Sequence, residues 1–203
     1  MIKPLSNTIQ QVINFTWPMV IISVVIIVSF RIAYLIRNKE KFVLYKELLM
    51  LIFIVYILCL FQVVTFQDDA AWASNNFIPF KEILRYNITS RLFVKNVLGN
   101  MIMFLPFGFF VSYYLKAEKI HLPIVLTLIA SISIELVQLA IGRVFDVDDI
   151  ILNLLGGIMG FFIYDILRII GERLPKFCKS NWFLNLLSVV LFIGLIMMII
   201  MVL

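Results

Sequence analysis

Charge is what this 203-residue sequence has least of. Asp, Glu, Lys and Arg make up 14% of it, about half of what a soluble surface of this size carries. With 63% hydrophobic residues and a mean hydropathy of +1.08, that scarcity excludes water-soluble enzymes, nucleic-acid-binding modules and disordered tails. The chain reads as an integral membrane protein. Its formal charge of +5 comes from cations beside apolar runs, so it reports topology and no nucleic-acid partner is expected. Cysteine is scarce too: Cys59 lies in an apolar run and Cys178 in a basic loop, which argues for neither a disulfide nor a metal-ligand spacing. Low-complexity linkers and fixed-period repeats are missing, and residues 1–203 read as a single membrane domain.

What is present is a set of apolar runs. A helix crossing the hydrocarbon core needs about 20 mostly apolar residues, and six stretches have that length: 17–36, 48–66, 92–115, 120–141, 150–170 and 182–203. The short alternating segments of a strand barrel are absent. The first run has only Lys3 ahead of it and no small-residue cleavage site after it, so it is expected to stay as an anchor. The fold class is therefore all-α, a polytopic transmembrane bundle of about six spans. The runs at 17–36, 48–66 and 182–203 look like plain anchors, and the middle three are unusually polar.

Short cytoplasmic loops hold the excess of Lys and Arg. One side collects Arg31, Arg37, Lys39, Lys41, Lys46, Lys116, Lys119, Arg168, Arg173, Lys176 and Lys179. The other has Lys3, Lys81, Arg85, Arg91, Lys95 and Arg143. Eleven against six puts the odd loops in the cytoplasm and both termini outside.

A polar side chain within a span is costly and marks a functional site by default. Asn96 and Asn100, four apart in the third span, share a face of an ideal helix; Pro106 further along frees a carbonyl and should kink it. Ser131, Glu135 and Gln138 in the fourth span follow i, i+4, i+7 spacing and make one polar stripe. The connection to the fifth span carries Arg143, Asp146, Asp148 and Asp149, with Asn153 one turn beyond Asp149. Asp148 or Asp149 could cap the fifth helix, which leaves the other charges to be explained, and Arg143 has the reach to fold back towards Glu135. Gly156 and Gly160 form a Gly-xxx-Gly whose reading is structural: close helix packing that would bring Asn153 towards the third or fourth span. The second loop holds Asn75-Asn76-Phe77-Ile78-Pro79-Phe80, too apolar for an aqueous loop and expected at the interface or folded over the bundle. All four groups fall at the outward ends of their helices.

The order of these elements resembles the VanZ-like membrane family. It runs Asn-Phe-Ile-Pro-Phe at 76–80, Asn-xxx-Asn with Phe, Pro and Gly following through 108, Glu-xx-Gln at 135–138, then Gly-Arg-xx-Asp-xx-Asp-xxx-Asn-xx-Gly-xxx-Gly at 142–160. The likeness covers about 75–165, and the anchors carry none of it. Asp148 sits between matching positions, and its part is open. The resemblance implies a bacterial, Gram-positive envelope protein associated with resistance to teicoplanin-type lipoglycopeptides, and it supplies no mechanism.

Two functions from different classes follow. The first is a non-enzymatic binder of a membrane lipid, a lipid-linked cell-wall precursor or an antibiotic's acyl tail. Its site would comprise Asn76, Phe80, Asn96, Asn100, Glu135, Gln138, Arg143, Asp146, Asp149 and Asn153, with Phe77, Phe80, Phe104 and Phe107 walling a cleft and Arg143 reaching an anionic head. The second is an enzyme acting on such a lipid, with Glu135, Asp146 and Asp149 as acid, base or ligands of a divalent cation. No other cofactor is expected. The lone histidine, His121, falls at the cytoplasmic mouth of the fourth span, so Ser–His and Cys–His schemes are out at the outer site. The missing nucleophile and base favour the binder. A transporter ranks third, because neither repeats nor paired broken helices are present.

The cation count is directly testable. With Cys59 and Cys178 replaced, single cysteines at Asp69 and Val147 should react with an impermeant thiol reagent in intact cells, and one at Lys39 should not. The reverse pattern would turn the topology over.

Overall fold

The computed structural model describes residues 3–65, 75–87 and 90–202. The far end of the second expected span, Asp69, and the final residue lie outside the described residues, as do the side chains of Arg91 and Lys95. The chain is helical, with α1 Lys3–Asn38, α2 Leu44–Thr65, α3 Lys81–Arg85, α4 Arg91–Phe93, α5 Gly99–Leu115, α6 His121–Ala140, α7 Val147–Arg173 and α8 Asn181–Val202. A π-helical turn over Val94–Leu98 joins α4 to α5. Among the described residues, five helices are long and apolar enough to cross a membrane: α1, α2, α5, α6 and α7. The 22-residue α8 is apolar as well, over Asn181–Gly194. The all-α membrane bundle is the observed class.

The chain forms two compact units, residues 1–66 with 174–203, and residues 67–173. The first unit contains α1, α2 and α8. Protein buries only 6% of the apolar windows of α1 and α2, against 39% for α7, so the anchors present their apolar side chains outward. A lipid surround tolerates this because apolar helices gain nothing by hiding from hydrocarbon. Arg31 on α1 donates two hydrogen bonds to Glu47 in the first turn of α2, at 2.9 and 3.0 Å, and Asn185 of α8 accepts the backbone N–H of Tyr45 at 3.0 Å.

The second unit is built on α7. A Cβ added at Gly156 would strike the backbone of Met101, and one at Gly160 the backbone of Leu105 and Gly108–Phe109, both on the α5 side. Gly157 faces the other way, against Thr127 of α6, and Gly108 of α5 meets the backbone of Gly157. The close packing read from Gly-xxx-Gly is thus met from both sides: small residues on α5 and α7 bring two backbones together, and a third helix seats a threonine on the remaining glycine. α5 runs on through Pro106 as helix. α6 ends in a Schellman motif: Gly142 is left-handed at φ +85°, its N–H reaches Leu139 O, and Arg143 N–H reaches Gln138 O at 2.9 Å.

Gly156→Leu or Gly160→Leu should lower stability in detergent by about 2 to 3 kcal/mol, because the new side chain meets backbone that cannot give way. Gly171, on the same helix, has nothing within 4 Å of an added Cβ, and Gly171→Ala should stabilise by roughly 0.5 to 1 kcal/mol. Thermal melts of the three variants showing equal effects would sink this account of the packing.

Candidate functional site

The sequence elements converge at one end of the second unit: the beginning of α5, the end of α6 and the beginning of α7. Asn76 lies in a single parallel bridge with Asp146, its N–H on Phe145 O at 2.8 Å and its carbonyl accepting Val147 N–H at 3.1 Å. The Asn76 side chain donates to Asp146 Oδ1 at 2.8 Å and accepts the N–H of Ile78, while Asn75 Oδ1 accepts the N–H of Phe145 at 3.0 Å. The apolar loop therefore does fold back, onto the α6–α7 connection. It leaves Phe77, Ile78, Phe80 and Leu84 outside as exposed apolar side chains, with Phe77 stacked on Phe145 at 5.5 Å between centroids.

The aspartates divide their work. Asp146, and neither of its two acidic neighbours, caps α7: its Oδ1 accepts the N–H of Asp148 at 2.8 Å, the geometry that satisfies one of the free donors of a first helical turn. Asp148, the residue the motifs leave open, is 1% exposed and caps a different helix. Its carboxylate accepts the N–H groups of Phe80, Glu82 at 2.7 Å and Ile83 at 3.1 Å. Phe80 sits at the N-cap of α3 with φ 66° and no side-chain acceptor, so the cap comes from 68 residues away in sequence. The only signal for this in the chain is three aspartates in four positions. Asp149 accepts from Asn100 Nδ2 of α5.

Glu135 is 1% exposed and accepts the N–H of Asp146 at 2.9 Å, tying the end of α6 to the start of α7. The charges of Asp146 and Asp149 bear on it, and that of Arg143 offsets them at both Glu135 and Asp149. Gln138 is buried beside it on the same stripe. One turn deeper, Asn153 donates to Ser131 Oγ at 3.0 Å, so α7's glycine face does bring Asn153 to the fourth span. The stripe also reaches Thr127, which is fully buried. Its i, i+4 spacing to Ser131 is the signal for it in the sequence.

Asn96 and Asn100 take different partners: Asn96 bonds Tyr86 Oη at 2.9 Å, whereas Asn100 bonds Asp149. One expectation needs correction. Phe104 walls no cleft. It is 1% exposed and packs in the interior, 5.7 Å from the Phe107 ring. Among the described residues no group of three or more His, Cys, Asp and Glu side chains is arranged to hold a metal ion.

The family described as VanZ/LLP1 matches residues 48–168 of the chain. No curated protein and no solved structure matches it.

Asp146 and Asp148 should respond oppositely to loss of charge. Asp148→Ala strips the three N–H groups at the start of α3 of their charged acceptor and should cost about 3 kcal/mol, with faster amide exchange over 78–85. Burial pushes the Asp146 carboxyl up, against the opposing hydrogen bonds from Asn76 and the Asp148 N–H. The folded protein then holds this proton to a higher pH than the unfolded chain, so its contribution to stability is present below the ordinary carboxylate range and is lost as pH rises through the folded value. Asp146→Asn keeps the cap oxygen and should flatten that loss, which melts of both proteins between about pH 4 and 8 would show. A steeper profile for Asp146→Asn would contradict it.

Proposed function

From the membership of this chain in the VanZ/LLP1 family, we propose that it is a bacterial envelope protein that binds an amphiphile at the polar end of α5, α6 and α7. The ligand class is a membrane lipid, a lipid-linked cell-wall precursor or the acyl tail of a lipoglycopeptide, and the physiological effect is tolerance to teicoplanin-type antibiotics. On the cation distribution of the sequence, this end faces outward. The observation that carries the reading is a juxtaposition. A desolvated polar layer of Asn100, Glu135 and Asp149, with the charge of Arg143 acting on it, lies at the end of the unit where Asn76 and Asp148 hold a loop exposing Phe77, Ile78, Phe80 and Leu84. Such a surface suits a molecule with a polar head and an apolar tail. Arg143 is the group for an anionic part of the head, since guanidinium recognises phosphate and carboxylate alike.

Binding is favoured over catalysis because the acidic groups near the site are engaged as structure. Asp146 caps α7, Asp148 caps α3 and Glu135 holds the α6–α7 connection.

Mass spectrometry of the purified protein, and of membrane lipids and cell-wall precursors from cells with and without it, tests the reading. A lipid or precursor should co-purify at no more than about one per site, Glu135→Gln should weaken its retention about tenfold or more, and cells lacking the protein should become more sensitive to teicoplanin. A new lipid species that accumulates with time and many turnovers on the pure protein, and that needs Glu135, would make it an enzyme instead.

A further inference from the structure

The unit formed by α1, α2 and α8 carries a groove of its own. It lies between the end of α1 and the start of α2, has a volume of about 520 Å3, and its lining includes Ile27, Phe30, Arg31, Tyr34 and Arg37 of α1 with Met50 of α2. The α1 residues follow i, i+3, i+4, i+7, i+10 spacing and so form one face of that helix. Along this face the lining passes from apolar to cationic. At a rise of about 1.5 Å per residue, Ile27 and Arg37 are roughly 15 Å apart, about half of the ~30 Å hydrocarbon thickness. The groove has the length of one leaflet.

The charges around it are sorted. Segment 31–47 holds five cations, Arg31, Arg37, Lys39, Lys41 and Lys46, against two carboxylates, Glu40 and Glu47. Arg31 answers both carboxylates: its guanidinium donates to the two oxygens of Glu47 at 2.9 and 3.0 Å and lies 3.9 Å from Glu40. The same guanidinium stands 5.3 Å from the centre of the Tyr34 ring, and the Tyr34 hydroxyl donates to Glu40 at 3.4 Å. The acids bordering the groove are therefore offset from within. Arg37, in the last turn of α1, is exposed and makes no hydrogen bond or ion pair among the described residues. Its charge is left for something outside the chain.

We propose that this groove binds an anionic phospholipid of the adjacent leaflet, with Arg37 on the phosphate and an acyl chain along Ile27, Phe30 and Met50. Guanidinium pairs with phosphate through two parallel N–H donors. Lys39, Lys41 and Lys46 enrich anionic lipid near the surface without choosing the site. A zwitterionic lipid brings the same chain and phosphate but adds a cation that these lysines repel, and a soluble phosphate brings no chain for the apolar part. The site belongs to the other unit from the polar layer of α5, α6 and α7, and it stands whether or not that layer binds an amphiphile.

The test uses the full chain, purified in a neutral detergent, and a phosphatidylglycerol with a photoreactive acyl chain. Peptide mass spectrometry locates the cross-links, which separates this groove from any lipid held elsewhere on the chain. Cross-links should fall within residues 27–50. Unlabelled phosphatidylglycerol should compete for them about tenfold or more better than phosphatidylcholine, and glycerol phosphate should not compete. Arg37→Gln should lower labelling of 27–50 about tenfold. Lys41→Gln removes the same charge from the adjoining loop and should change labelling by less than about twofold. Competition is read on the native chain, so the test holds even for a variant that does not fold. Equal competition by the two lipids would make the groove a place for any bilayer lipid and overturn the proposal. Equal losses from Arg37→Gln and Lys41→Gln would overturn it in favour of a diffuse field, as effective competition by glycerol phosphate would in favour of soluble phosphates. An absence of cross-links within 27–50 would remove the site altogether.

Discussion

At Gly156, Gly157 and Gly160 the backbone of α7 lies against α5 and α6 with no room for a methyl group, and the polar layer of the central unit depends on that approach. Side chains as short as Asn and Asp bridge two helices only when the backbones are close. Asn100 reaches Asp149 and Asn153 reaches Ser131, two turns and one turn from the first glycine. Without water to satisfy them, polar groups in a span must find partners within the protein, so the glycine contacts and the hydrogen bonds stand or fall together.

The acidic connection between α6 and α7 works as a junction of four segments. Gly142 turns the chain at the end of α6, Glu135 holds the N–H of Asp146, Asp146 caps α7, and Asp148 reaches across to cap α3. Each carboxylate meets backbone N–H groups that would otherwise be unsatisfied at a helix end. This explains how a charge-dense stretch can sit beside a membrane without a large stock of cations. It also explains how a loop as apolar as 77–84 is held in place while its side chains remain exposed: its backbone is gripped by Asn76 and Asp148, and its side chains are left free for an apolar surround.

The two units meet the membrane with different surfaces. α1 and α2 bury little of their apolar windows, whereas α7 buries more than a third of its own. The buried face of α6, from Pro123 through Thr127, Ser131 and Glu135 to Gln138, is the polar one, and its apolar side chains Val125, Ile129, Ile132 and Leu136 are exposed. The helix is inside out relative to a soluble one, as a lipid solvent requires.

Legible in the residues alone are the helical membrane class, five of the six expected spans, the family likeness, the α6 stripe and the glycine contact. Each of these is a matter of composition, length or helical period along one element, and all are local quantities. The residues alone do not show that Asp146 is the cap of α7, that Asp148 serves a helix 66 residues away, or which partners Asn96 and Asn100 take. The first is a choice among adjacent acids made by backbone angles, the second a contact between elements far apart in the chain, and the third a matter of which neighbour each amide meets. Phe104 was placed on a cleft by its neighbours in the motif and is buried because α5 turns that side inward. Which of several similar polar residues meets which partner was decided only when α7 packed between α5 and α6, because hydrogen-bond choice depends on distances of a few tenths of an ångström that no periodicity encodes.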